Sequence, residues 1–248
     1  MKNLFLKKKL PALVFFLIFL LYLPFGFGKT HFYMTPNKST VILPKSSINS
    51  FYLLLKLDSL GLSKEAFDQA INGYEQIVHL KSTTNTSILS IIDFTKLSSQ
   101  KRLYILDVET GKLLFHTYVA HGRNSGLLFA NNFSNTPSSL QSSLGFFQTG
   151  KTYNGKNGYS LQLYGLEKGI NDNAFERSIV IHGASYVSNH FVKTAGYLGR
   201  SWGCPALPSE LTKPIIDKIK NGTLLFIFAK DKNYFAKTSF PDKYSASF

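Results

Sequence analysis

The chain has 248 residues, with 28 Lys and Arg against 14 Asp and Glu, six His and a single cysteine. Hydrophobic residues at 44% are enough for a real core, and one cysteine excludes an internal disulfide framework and any multi-cysteine metal site. The formal net charge of +14 favours polyanionic surroundings: nucleic acid, anionic lipid headgroups or acidic envelope polymers.

Residues 1–28 read as a secretory signal, with Lys2, Lys7, Lys8 and Lys9 ahead of an uncharged, Leu- and Phe-rich run from 10 to 28. Gly26 and Gly28 are small residues suited to cleavage before Lys29. The rival reading is an uncleaved anchor, since the run approaches the ~20 residues that span a bilayer. Pro11 and Pro24 shorten its helix and favour cleavage. Either way the remainder is exported to the periplasm or cell envelope. Export makes nucleic acid the least expected partner, and lysines scattered as singles and pairs show no recognition helix. A membrane is contacted only through the signal segment.

Residues 29–48, with Pro36 and Pro44, read as a linker. Residues 49–82 read as a small helical element. A helix over roughly 48–60 precedes a stronger one capped by Ser63, with Glu65 in its first turn. Ala66, Phe67, Ala70, Ile71, Tyr74, Ile77 and Val78 recur at helical spacing and predict its buried face.

The pattern then changes to short β-type runs, and residues 83–230 read as one mainly β domain. The strands are ILSIID (88–93), RLYILDV (102–108), KLLFHTYVA (112–120), FFQTGKTY (146–153), YSLQLY (159–164) and SIVIH (178–182). Glu109-Thr110-Gly111 turns one hairpin, and Asn154-Gly155 with Asn157-Gly158 turns another. One late helix over about 210–220 stops at Asn221-Gly222, a last strand TLLFIF follows, and residues 231–248 form a tail without a clear element. The fold class expected is mainly β (α+β): a mixed sandwich or barrel-like sheet with one late helix, preceded by a small helical pair.

The lone Cys204 lies in GRSWGCPALP, and His182 ends the strand SIVIH 22 residues earlier. A thiol becomes a good nucleophile once deprotonated, and an imidazole can take that proton and return it to a leaving amine. Gly203 leaves approach to the sulfur open, and the backbone N–H groups of Gly203 and Cys204 are candidates to hold an oxyanion. Ser201 and Arg200 add a hydroxyl and a cation suited to a substrate carboxylate. The alternative for a lone cysteine is an inert core position, in which case the basic surface would serve only to bind envelope polymer. No ligand spacing, CxxC or HExxH supports a metal site.

The residues IHGA at 181–184 and SWGC at 201–204, with the spacer between them, resemble the signature of the murein L,D-transpeptidase catalytic domain (YkuD-like) family. That signature is a His-Gly strand end and a Ser/Thr-x-Gly-Cys turn. SSLGFFQTG (142–150) and YNGKNGYSLQL (153–163) extend the likeness, which covers roughly 88–230. The resemblance implies an exported cysteine acyl-transferase acting on peptidoglycan stem peptides without a cofactor. Cys204 would form a thioester at an L,D peptide bond, with His182 shuttling the proton and the Gly183 carbonyl orienting its ring. Transfer to an amine gives a cross-link, whereas transfer to water makes the same site a carboxypeptidase or endopeptidase. Trp202 stands where the family commonly has His, and Cys204-Pro205-Ala206-Leu207 lacks the usual Arg or Asn. Carboxylate binding therefore falls to Arg200, with Arg177 and Arg123 in reserve. Trp202 either stacks on substrate or fills its loop. His121, at another strand end, either lines the cleft or is satisfied by backbone groups.

Overall fold

The computed structural model describes residues 45–80, 83 and 85–240, so the signal, most of the linker and the last part of the tail lie outside the described residues. Helices α1 (Lys45–Leu54) and α2 (Lys64–His79) precede strands β1 (Ile88–Asp93), β2 (Leu103–Asp107) and β3 (Lys112–Thr117). Then come β4 (Gly145–Gly155), β5 (Gly158–Gly165), β6 (Val180–Ala184), α3 (Asn189–Ala195), β7 (Ala206–Pro208), α4 (Ser209–Ile219), β8 (Leu224–Phe228) and α5 (Lys232–Lys237). The six long strands read from the sequence, the last strand and the helix before it all form. The short strand β7 and the helices α3 and α5 do not announce themselves in the sequence. "One late helix" is accordingly corrected: α3 fills the spacer before Cys204, and α5 occupies the tail, capped by the Asp231 side chain accepting from Tyr234 N at 2.8 Å.

The strands form one eight-stranded sheet in the order β3-β2-β1-β8-β4-β5-β6-β7. Neighbours are antiparallel except β1 with β8 and β6 with β7. Strands β1 and β8 are buried at every position, which explains why ILSIID and LLFIF carry no polar alternation: they are the central strands, covered on both faces. Beyond β3 the chain returns to the opposite edge, where Ala120 N donates to Ala206 O at 2.9 Å and Gly122 bridges Ser201. The sheet is thus nearly closed into a barrel, and its closure joins the strand after β3 to the segment that carries Cys204.

Helix α2 starts as its sequence predicts, with the Ser63 hydroxyl accepting from Ala66 N at 3.2 Å. Its buried face is rotated from expectation: Gln69, Asn72 and Gly73 are buried, while Tyr74 and Val78 are only partly so. Gly73 is the reason, since a Cβ there would lie 2.2 Å from the Phe146 ring, so the helix approaches β4 more closely than a side chain permits. Phe146 in turn stacks on Phe226 with ring centroids 4.3 Å apart. The buried carboxylate of Asp93, at the end of β1, accepts the Ser63 backbone N–H at 3.0 Å. Phe67, Ala70, Ile71 and Ile77 join the sheet residues in one hydrophobic cluster. The helical element and the β domain therefore share a core, and the boundary expected at 82/83 is not a break in packing.

Candidate active site

Parallel pairing of β6 with β7 aligns His182 with Ala206, two residues past Cys204. The chain between them is not slack. It forms α3, and Val187 and Leu198 pack with Ala120 and Ala206 in a second small apolar cluster. That packing, rather than sequence proximity, returns the thiol to the strand that carries the imidazole.

The turn that carries Cys204 is built around hydroxyls. Ser201 Oγ accepts from Gly203 N at 3.1 Å and donates to Cys204 O at 2.6 Å. Ser142 Oγ accepts from Gly122 N at 3.0 Å and donates to Gly203 O at 3.1 Å. Gly203 has φ +124°, and a Cβ on it would stand 2.8 Å from Gln141 O. Gly122 is required by close approach, since a Cβ there would be 2.9 Å from Gly203 Cα. The role of Ser142 and Gly122 had no local signal in the sequence, because both act on a residue some sixty or more positions away only after the barrel edge closes.

Cys204 is partly buried. Its Sγ accepts from Val180 N at 3.5 Å and donates to Ser178 O at 3.6 Å. These partners lie two and four residues before His182 on the same chain segment. Among the described residues no hydrogen bond joins the sulfur to the imidazole in this conformation. His182 is 5% exposed, and its Nδ1 meets Gly183 O at 2.9 Å. A carbonyl only accepts, so this contact assigns the proton to Nδ1 and leaves Nε2 as an acceptor. Gly183 also has a steric reason to be glycine: a Cβ would lie 2.5 Å from Thr212 Oγ1 of α4.

Burial pushes the Cys204 thiol above its ordinary value, against smaller opposing effects of the Val180 N–H and the Arg177 guanidinium. Burial likewise holds the His182 imidazole below its usual range, with the Gly183 carbonyl opposing. Both shifts favour the uncharged forms, a neutral thiol and a neutral imidazole, over a preformed ion pair.

The structure separates the other expected site residues. Arg200 is exposed, its Nη1 donating to Arg123 O at 3.2 Å and Gly126 O at 3.3 Å, and Trp202 is 70% exposed beside the thiol turn. Ser201 is 4% exposed with its hydroxyl engaged in both directions, so it builds the turn and does not present itself to a ligand. Gly203 N–H is spent on Ser201, whereas Cys204 N–H has no partner among the described residues, so the expected oxyanion pair reduces there to the one donor. His121 is fully buried, with Nδ1 2.7 Å from Arg102 Nη2 and Nε2 3.1 Å from Gly126 O, so it does not line the cleft. It is the histidine satisfied within its loop. Arg177 is half-buried, one residue before the Ser178 that accepts from the Cys204 sulfur, and its Nη1 and Nη2 are taken up by the 134–143 segment.

Residues 58–228 match the family model described as L,D-transpeptidase catalytic domain, which is more than half of the chain. No curated protein matches. Among solved structures, an L,D-transpeptidase from Mycobacterium smegmatis aligns at 13% identity over 58% of this chain and 59% of its own, with TM-score 0.37. The helical cell shape determining protein Pgp2 from Campylobacter jejuni aligns at 16% identity over 59% and 48%, with TM-score 0.38. An L,D-transpeptidase fragment from Xylanimonas cellulosilytica aligns at 16% identity over 73% and 93%, with TM-score 0.34. The chain thus spans less than two thirds of the length of the first two.

Proposed function

The chain belongs to the L,D-transpeptidase catalytic domain family, and from that premise we propose that it is an exported cysteine acyl-transferase that cross-links peptidoglycan stem peptides through a thioester on Cys204. The observation that carries this reading is that the only cysteine, on a turn that excludes any side chain at Gly203, rests its sulfur on Val180 N and Ser178 O of the segment leading into a buried histidine whose Nδ1 is fixed on the Gly183 carbonyl. In the reacting conformation the sulfur leaves Ser178 O and meets His182 Nε2, the nitrogen that the Gly183 carbonyl leaves as an acceptor. His182 Nε2 takes the thiol proton as sulfur attacks the carbonyl carbon of the L,D peptide bond. The oxyanion formed accepts from Cys204 N–H. The intermediate collapses with cleavage of the C–N bond, and the terminal D-alanine leaves as an amine carrying the proton from His182. An amine from a second stem then gives its proton to His182 and attacks the thioester, and the thiol is reformed. Water in place of that amine yields a trimmed stem instead of a cross-link.

Arg200 is exposed, and among the described residues only its Nη1 makes hydrogen bonds, which supports it as the cation for the stem carboxylate, with the exposed Trp202 two residues on as an aromatic face. Export fits the signal-like residues 1–28 and brings the domain to its polymer.

The test is mass spectrometry of disaccharide-tetrapeptide muropeptides incubated with the purified protein and with Cys204→Ala. Loss of D-alanine together with dimers, seen with the thiol and absent without it, supports transpeptidation. Tripeptide alone would select hydrolysis. Substrate that is bound but left intact by both proteins would sink the enzyme reading in favour of a binding module.

A further inference from the structure

The 118–144 connection between β3 and β4 contains no regular element, and a loop that long inside a compact domain needs anchors. Arg177 supplies four. Its Nη1 donates to Ser134 O at 2.6 Å and Ser143 Oγ at 2.5 Å, and its Nη2 donates to Ser139 Oγ at 3.1 Å and Gln141 O at 2.7 Å. All four acceptors are neutral. Among the described residues the ion pairs are made by lysines, and none involves Arg177. Its Nε is buried and makes no hydrogen bond. A half-buried guanidinium without a counter-ion is costly, and it remains protonated because arginine has no accessible neutral form near physiological pH.

The anchored segment is also the wall of the nucleophile turn. Gln141 O limits the space over Gly203, and Ser142 Oγ holds Gly203 O at 3.1 Å. We propose that Arg177 is a positioning residue that controls the reactivity of Cys204, by placing an unneutralised charge one residue from Ser178, whose carbonyl accepts from the sulfur at 3.6 Å, and by fastening the 134–143 segment against the turn. This rests on the reading of Cys204 as the nucleophile. The charge has no carboxylate at rest and gains an anion when the sulfur ionises or the oxyanion forms.

The other titratable groups around the thiol do not compete for this role. Tyr186 is pushed up to about 12 by burial and by Cys204 itself, so it stays neutral. His182 is neutral through burial. Among the described residues Arg177 is the fixed charge that draws the thiol down, and Cys204 reciprocally holds the guanidinium up against its own burial. Its donors are consumed by the loop and its Nε is sealed, which leaves no group for a substrate carboxylate and keeps that part of the chemistry with Arg200.

The test is the pH profile of iodoacetamide alkylation, read by mass on the full-length protein, where Cys204 is the only site. Arg177→Met should raise the alkylation midpoint by about one pH unit and slow the reaction about tenfold at pH 7.5, the shift expected on losing one nearby opposite charge. Arg177→Lys should keep the midpoint near that of the wild type while lowering cross-linking kcat, because a point charge cannot span four acceptors. If Arg177→Met does not fold, Arg177→Gln retains an amide donor without charge and must show the same rise. A midpoint unchanged in any folded neutral variant overturns the proposal. Failure of the nucleophile reading would look different, as cross-linking retained by Cys204→Ala, since alkylation reports the thiol independently of turnover.

Discussion

Cys204 and His182 are both neutral at rest, and the direction of each shift makes a pH dependence that separates this site from a thiolate–imidazolium pair. Thiolate forms only as pH rises through a raised thiol value, so alkylation should climb steadily above pH 8 and show no reactive plateau near pH 5. His182→Ala should slow alkylation near neutral pH about tenfold or more, because the base that takes the proton is gone. An unchanged rate would mean that the two side chains do not act together. At this scale the sequence displayed the reactive residue types and one strand end, and nothing about hydrogen-bond commitments. Ser201 looked like a substrate contact because its hydroxyl is polar and adjacent; its bonds to Gly203 N and Cys204 O show a structural post. His121 looked equally available until burial and Arg102 accounted for both nitrogens.

Among the elements, α2 offers the sharpest test because two physical effects have opposite signs. Replacing a helix-interior glycine by alanine ordinarily stabilises by about 0.8–1 kcal/mol. Gly73, however, faces Phe146 at a distance that admits no Cβ, and Phe146 is pinned by its stack on Phe226. Gly73→Ala should therefore destabilise by roughly 1–3 kcal/mol, the usual effect of overpacking, measured by urea denaturation. A gain in stability would show that the helix can lift off the sheet freely. The strands were legible because runs such as ILSIID and LLFIF are apolar, β-branched and short. β7 was not, since three residues beginning after Pro205 carry no period, and they become a strand only by pairing with β6. Likewise α3 buries no residue and has no amphipathic stripe to read.

For the molecule as a whole, the buried pair of His121 and Arg102 predicts an acid limit to stability. Burial, reinforced by the Arg102 charge, lowers His121 to about 3, against roughly 6.5 in an unfolded chain. The unfolded state then binds more protons between these values, so the contribution is complete above pH 6.5 and is lost as pH falls toward 3. Urea denaturation should show a loss of about 2 kcal/mol from this group by pH 5. His121→Gln, which preserves an acceptor for Arg102, should flatten that slope. An equally steep slope in a folded His121→Gln would assign the acid sensitivity elsewhere, His182 and His116 being the other histidines lowered by burial.

Composition, apolar periodicity and the His-Gly and Ser-Trp-Gly-Cys motifs by themselves determined the long strands, the helix before the last strand, the mainly β class, the family and the two candidate reactive side chains. These follow from local propensity and residue chemistry, which any short window of the chain carries. Tertiary structure alone decided that the helical pair shares the sheet's core, that Gly203 N–H, Ser201 and His121 are already committed, and that Arg177 is tied to the 134–143 segment and, among the described residues, makes no ion pair. Each of those depends on residues brought together by barrel closure at Ala120 and Ala206 or by the packing of α2 on the central strands. Whether a polar group is free or spent depends on neighbours distant in the chain, and no local pattern encodes it.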